Sequence, residues 1–260
     1  QQQSKDLVDG DWVEVLDFKN NFLGIGHFHF GSISVKVISF TPIESIENLW
    51  KEKIQNAKNL RESLPIGDTN AYRLIHGEGD ACPGLIIDFY NGVFVIQAHS
   101  IGIHKNIELI KEAILKVFGK KNVIAIFDKS KETLPTEYAS GISNNYLVGS
   151  ADVSFSVKEN GIKFAINWVT GQKTGFFLDQ RDNRELLARF AKGKDVLNTF
   201  CYSGGFSLYA LQAGANKVIS LDASAKAIDL VKENIQLNHF EKFNHRRIKK
   251  SKNSSCIQRS

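Results

Sequence analysis

The sequence predicts a multidomain chain of mixed class, α/β and α+β. A small β unit, a strand-strand-helix-strand-strand domain and the opening of a parallel doubly wound sheet follow one another. Three observations carry that expectation. Apolar and polar residues alternate through the first forty residues, strand and helix periods mix between 67 and 168, and buried-type strands alternate with helices after that. The 260 residues, 42% hydrophobic and 23% charged, leave room for two domains and a small third, and they exclude disorder, collagen and a disulfide scaffold.

Residues 1–41 form the β unit. Asp11 to Asp17 alternates, Asn20-Asn21 marks a turn, Phe22 to Phe30 reads as a strand around Gly24 and Gly26, and Ser32 to Phe40 alternates again. Three or four short strands bury too little to stand alone, so this unit is part of a small barrel or packs on the next segment of the chain. A linker helix occupies 42–66. Thr41-Pro42-Ile43-Glu44 offers a hydroxyl cap, a proline at the first helical position and a reciprocal glutamate. Ile43, Ile46, Trp50, Ile54 and Ala57, with Leu60 or Arg61, then recur at helical steps until Pro65 and Gly67.

The central domain spans 67–168. Leu85 to Phe89 and Val93 to His99 flank Asn91-Gly92, a two-residue hairpin signal. Residues 103–118 read as a helix stopped by Gly119, Val123 to Phe127 as a strand and 129–146 as a polar loop. Val153 to Val157 and Ile162 to Trp168 close a second hairpin over Glu159-Asn160-Gly161. The last domain, 169–240, runs helix (Arg181 to Phe190), strand (Val196 to Phe200), glycine turn, helix to Gln212, strand (Val218 to Asp222) and helix (Ser224 to Asn238). Beyond Phe240 periodicity stops, so 241–260 is expected to be a basic unstructured tail without the third strand of the sheet.

The net charge of +5 belongs to that tail. Residues 241–260 hold seven of the 33 basic residues and one of the 28 acidic ones, which leaves 26 against 27 in the rest. The basic balance is therefore no evidence that the folded body grips phosphates. Cys82, Cys201 and Cys256 stand far apart, which suggests neither a zinc site nor a disulfide. No apolar run approaches a membrane span, and the cytoplasm is the expected compartment.

In a parallel α/β sheet a ligand lies at the carboxyl ends of the strands. Here that point is Asn198-Thr-Phe-Cys-Tyr-Ser-Gly-Gly-Phe206, with Asp222 ending the next strand. Gly204-Gly205 either lets the backbone approach a ligand or merely makes a tight turn, and Asp222 either accepts the hydroxyls of a ribose or caps a helix. The joint spacing favours a nucleoside pocket. Without the Gly-x-Gly-x-x-Gly that seats a pyrophosphate, S-adenosylmethionine fits better than a dinucleotide. Phe200, Tyr202 and Phe206 either offer aromatic surface to its sulfonium or pack in the core.

Thr170-Gly-Gln-Lys-Thr-Gly-Phe-Phe-Leu-Asp-Gln-Arg-Asp-Asn-Arg184, with Val196 to Ser207 and Val218 to Ser224, closely resembles the bacterial class I methyltransferases that methylate C5 of a cytosine in large-subunit ribosomal RNA. The resemblance spans nearly the whole chain. It implies a partial PUA-like β-barrel, an RNA-binding domain, at the start and an incomplete Rossmann-like methyltransferase sheet at the end. It implies S-adenosyl-L-methionine as cofactor and large-subunit ribosomal RNA as partner, admits a homodimer, and involves no membrane. Asn198, Phe200, Cys201, Tyr202 and Gly204 would line the cofactor loop, Asp222 would hold the ribose, and Phe177, Gln180 and Arg181 would belong to the motif that closes over the same pocket.

The family's chemistry adds a cysteine thiolate to C6 of the cytosine, so that C5 attacks the sulfonium methyl, and a base then removes the C5 proton so that the cysteine leaves C6. The Asp-Pro-Pro segment and the Ser-Cys-Ser-type turn that carry it are not in these residues, and Cys201 matches the cofactor loop instead. Ser254-Ser255-Cys256 resembles the turn only superficially. The expectation is a family member shortened at both ends, its tail from an altered reading frame or truncated gene, with no catalytic residue and no turnover as it stands. Two rivals remain: a non-catalytic RNA-binding protein using the PUA-like domain and basic tail, and a nicotinamide enzyme, against which the missing three-glycine pattern argues.

Overall fold

A computed structural model describes residues 6–150 and 155–240 and the backbone of 245–247. The chain divides into two compact units that interleave along the sequence. The first takes residues up to 66, 70–153 and 168–175; the second takes 67–69, 154–167 and 176 onward.

In the first unit, β1 (Trp12–Leu16), β2 (Phe22–Phe28) and β3 (Val35–Ser39) form an antiparallel sheet. Helix α1 (Ile46–Glu62) follows. Its cap is Ser45, whose hydroxyl accepts from the Asn48 amide, and not Thr41. Thr41 is engaged instead with Ser39, whose hydroxyl donates to the Thr41 carbonyl and accepts from its amide. The inward stripe of α1 is Leu49, Trp50, Ile54 and Ala57, whereas Leu60 is half exposed. Arg61 reaches Asp80 through two bonds of 2.6 Å.

A five-stranded sheet follows, in the order β4 (Ala71–His76), β5 (Leu85–Tyr90), β6 (Val93–Ala98), β7 (Ala125–Asp128) and β8 (Asn145–Gly149). Asn91 and Gly92 turn β5 into β6 with φ of 45° and 94°, the doubly left-handed geometry of a tight hairpin. The β6–β7 pair is parallel and so needs a crossover, supplied by α2 (Ile101–Lys105) and α3 (Ile107–Phe118). The stretch that reads as a polar loop holds α4 (Thr136–Ala139) and the start of β8. The apolar face of the sheet packs through Leu74, Ile87, Phe94 and Ile96 into a core shared with Trp50, Ile54, Ile110 and Ile114.

The helix expected over 103–118 is broken at Asn106, and the break has a polar cause. Asn106 is buried, and its amide donates to the Gly102 carbonyl (2.7 Å) and to Nε2 of His27 (3.1 Å), while its oxygen accepts from the indoles of Trp12 and Trp50, each at 3.3 Å. All four bonding positions of one side chain are thereby used. Gly102 lets His27 approach, since a Cβ there would sit 2.3 Å from the imidazole.

The second unit contains the hairpin of β9 (Ser156–Glu159) and β10 (Ile162–Ala165), with Asn160 and Gly161 both at positive φ. The sequence groups this hairpin with the central domain. Its bonds instead run to the last helix of the second unit: Ala165 N donates to Asn234 (2.7 Å) and Lys163 N to Asn238 (2.8 Å). Val153, the expected start of its first strand, lies outside the described residues. Helix α5 (Arg181–Ala191) precedes β11 (Asp195–Thr199), α6 (Gly205–Gln212), β12 (Lys217–Leu221) and α7 (Ala225–Leu237), the last capped by Ser224.

The sheet does gain a third strand, which corrects the expectation of none. β13 (His245–Arg247) pairs parallel with β12, Val218 opposite His245. A free parallel edge offers a row of backbone donors and acceptors that three residues of any composition can bond, which apolar periodicity does not reveal. The rest of the basic segment, 241–244 and 248–260 with Cys256, lies outside the described residues. In the order β11-β12-β13, β11 is an edge strand and its Leu197 is exposed.

Burial, reinforced by Lys105 and Lys36, pushes the His27 ring down from 6.5 to about 4. A depressed base makes the stability present above 6.5 and removes it as pH falls toward 4, because the unfolded chain takes a proton that the folded one refuses. The loss amounts to about 3 kcal/mol over that window. Urea unfolding across it is expected to show this slope, and His27→Gln to flatten it.

Candidate functional site

The loop between β11 and α6 is held in a contorted path. Phe200, Tyr202 and Gly204 all take left-handed φ, at 56°, 46° and 76°. For the two aromatic residues that conformation costs about 1–3 kcal/mol each, a strain that persists only where surrounding bonds enforce it. Those bonds are present: Cys201 N donates to the Leu221 carbonyl (3.2 Å), Gly204 N to the Cys201 carbonyl (2.7 Å), and Tyr202 N to Asp222 Oδ2 (3.0 Å).

Asp222 therefore orients the loop from the end of β12. Its Oδ1 also accepts from Ser224 N at 2.9 Å, so each carboxylate oxygen has one backbone donor. An ionised carboxylate offers about four acceptor positions, which leaves one on each oxygen for a further pair of donors. The vicinal hydroxyls of a ribose are such a pair.

The glycine pair owes its identity to protein packing. A Cβ on Gly204 would meet Val231 of α7 at 3.0 Å, and one on Gly205 would meet the Arg184 side chain at 2.9 Å. Asn198 donates to Ser207 Oγ (2.9 Å), which in turn bonds Ser220 (2.8 Å), tying β11, α6 and β12 below the loop. Phe177 meets Tyr202 edge to face, with ring centroids 5.3 Å apart. Phe200 stands 89% exposed, its ring available to a ligand. Gln180 and Arg181 make their bonds locally, to Asn183 (3.0 Å) and Asp182 (3.3 Å), in the first turn of α5. Of the nine residues singled out from sequence, seven thus converge on the loop or its immediate support, and these two are placed only beside it.

Burial and then the neighbouring Asp222 push the Cys201 thiol up to about 11. Cys82, buried elsewhere, is pushed up to about 12 by burial first. Neither is a thiolate at neutral pH, in keeping with a loop role for Cys201.

What sequence reasoning missed is the anchor under the loop. Arg184, almost fully buried, grips Glu159 at the end of β9 with bonds of 2.8 and 2.7 Å, and donates to the Phe177 carbonyl at 3.1 Å. Its guanidinium lies 4.7 Å from the Phe176 ring centroid, and the Tyr209 hydroxyl completes Glu159 at 3.0 Å. A signal existed, since Arg184 shares the inward stripe of α5 with Leu187 and Ala191. The start of the same run is fixed in the first unit, where Lys129 donates to the Trp168 and Gly171 carbonyls, each at 2.6 Å. There Thr174 also bonds Asp88 (2.5 Å) and Tyr90 (3.0 Å).

Arg184→Ala strands the buried Glu159 charge and is expected to cost about 3–5 kcal/mol of stability, whereas Arg184→Met with Glu159→Leu recovers much of it. Urea midpoints of the three proteins check this. In a second test, the peptide carrying Cys201 is expected to react with iodoacetamide far more slowly in the folded than in the unfolded protein at about pH 8.

A family model for S-adenosylmethionine-dependent methyltransferases matches residues 72–248, and one for a PUA-like domain matches residues 1–40. Ribosomal RNA large subunit methyltransferase I of Pseudoalteromonas atlantica is 37% identical over 235 residues, which cover 89% of this chain and 59% of that protein. The protein of the same name from Alteromonas mediterranea is 39% identical over 238 residues, covering 89% and 58%. The chain thus spans just under three fifths of the length of these relatives. Among solved structures, a candidate SAM-dependent methyltransferase from Streptococcus mutans superposes with a TM-score of 0.77 at 27% identity, over 92% of this chain and 61% of that one. A candidate methyltransferase complexed with SAH gives the same TM-score at 26% identity, over 92% and 62%. Among the described residues no helix is long and apolar enough to cross a membrane.

Proposed function

This chain belongs to the S-adenosylmethionine-dependent methyltransferase family, with a PUA-like domain at its start, and from that premise we propose that it binds S-adenosylmethionine on the β11–α6 loop and serves methylation of large-subunit ribosomal RNA at C5 of a cytosine. The observation that carries the reading is the Asp222 carboxylate, oriented by two backbone amides and left with one acceptor position on each oxygen.

When bound, the cofactor supplies a methyl group on a sulfonium centre. The chain's own residues bind and orient it. Asp222 accepts the two ribose hydroxyls, and the exposed ring of Phe200 with the edge-to-face pair Phe177 and Tyr202 gives apolar and π surface to the adenosyl and sulfonium groups. Asn198 and Gly204 act one step back: the first braces the strand end, the second lets the loop lie against α7. Gln180 and Arg181, whose bonds are local to the start of α5, would close over the same cofactor. In this reading Cys201 packs and does not react. Cys82 is not assigned a catalytic role in this reading either, since burial raises its thiol as it does that of Cys201. The same reading places the protein in the cytoplasm, takes large-subunit ribosomal RNA as partner, and admits a homodimer as its assembly. In this reading residues 1–41 are the PUA-like part, and the β9–β10 hairpin, grouped by sequence with the central part 67–168, goes with the methyltransferase part 169–240.

Isothermal titration with S-adenosylhomocysteine is expected to give saturable heat. Asp222→Ala should weaken binding about tenfold or more, as loss of hydrogen bonds to a charged acceptor implies. No heat from the parent chain, or an undiminished affinity in the variant, overturns the proposed site; NAD titrated in parallel should give none.

A further inference from the structure

The turn joining β1 to β2 displays an aromatic ring from a rigid mount. Phe18 is 90% exposed, further out than any other large apolar side chain in the described residues. The backbone beneath it is nevertheless tightly organised. The Asp17 carboxylate accepts from Lys19 N (2.7 Å), Asn21 N (2.8 Å) and the Asn21 side-chain amide (2.8 Å). Asp17 N donates to the Asn21 carbonyl, and Asn20, at φ 64°, donates back to the Asp17 carbonyl. These bonds hold the Asp17 carboxyl below its usual range, Asn21 contributing most. A turn that needed only to reverse the chain could carry a polar residue at its tip. This one places a phenylalanine there, with the Lys19 ammonium 5.3 Å from the ring centroid.

Ring and cation suit one class of partner. A nucleobase stacks on an aromatic face whatever its sequence, an adjacent lysine meets the phosphate that travels with it, and a preformed turn loses little entropy on binding. A duplex hides its base faces, so the match is to unpaired RNA. We propose that the β1–β2 turn is a base-stacking tip: Phe18 stacks on an unpaired base of the RNA and Lys19 contacts the adjoining phosphate. The inference rests on the reading of this chain as acting on RNA, and it assigns part of that contact to residues far along the chain from the cofactor loop.

Fluorescence anisotropy with the full chain, using a short unstructured fluorescein-labelled oligoribonucleotide and a blunt duplex of the same length, tests it. Phe18→Ala is expected to weaken single-strand binding about tenfold, in the range for one stacked base, and to leave duplex binding unchanged. Phe18→Trp should restore the affinity, with its emission quenched by the oligonucleotide, whereas Phe18→Leu should not. Lys19→Gln should lower the salt dependence by about one phosphate contact. Because the ring is exposed, all these variants should melt with the parent. Unchanged single-strand affinity in Phe18→Ala overturns the proposal. So does a parent that fails to bind the oligonucleotide, or full rescue by leucine, which would mark a plain apolar contact with a protein or lipid surface. S-adenosylhomocysteine titration of the same variants keeps the two readings apart. Normal heat with an unaltered RNA affinity sinks the stacking tip alone, and lost heat with the expected RNA pattern sinks the cofactor site alone.

Discussion

A guanidinium withdrawn from water has to find its counter-charge and its remaining acceptors inside the protein, and the second unit is arranged around that demand. Arg184 takes both oxygens of Glu159 from the end of β9, the Phe177 carbonyl from the segment ahead of its own helix, and the face of Phe176. Gly205 leaves the room its side chain occupies, and that glycine opens α6. The loop above therefore inherits its position from an ion pair that touches no ligand. Asp222 then fixes the loop from the opposite side through the Tyr202 amide. Strain in two left-handed aromatic residues is tolerable because both ends of the loop are held.

Much of the fold was legible because its signals are local. A strand followed by glycines and an apolar helix, repeated, could be read from residues 196–238, and the Ser224 cap and the Asn91-Gly92 turn are written in neighbouring residues. The departures come from distant partners. Helix 103–118 breaks because Asn106 bonds residues 56, 79 and 94 positions away, which no window of periodicity contains. The cap of α1 is Ser45, while the backbone of Thr41 upstream is engaged with the Ser39 hydroxyl. Strand β13 forms from a charged segment because edge pairing asks only for a backbone.

The candidate site was legible to a similar depth. The glycine loop and the carboxylate one strand later do come together, and the carboxylate bonds the loop directly. The reason for the glycines was not legible: they clear space for Val231 and Arg184, residues whose inward direction only the packing reveals. Nor could sequence show that the left-handed positions of the loop fall on Phe200 and Tyr202, since bulky residues are poor advertisements for positive φ.

The interleaving of the two units has a consequence for how this chain can be divided. The backbone passes from one unit to the other five times, after residues 66, 69, 153, 167 and 175. No single cut in the chain therefore separates one core from the other. An excised piece ending at any one of these crossings leaves a strand or a buried anchor on the wrong fragment: Thr174, for example, from Asp88, or the β9–β10 hairpin from Asn234. Subcloning at any one crossing, the usual route to a minimal domain, therefore divides one of the two cores instead of freeing it.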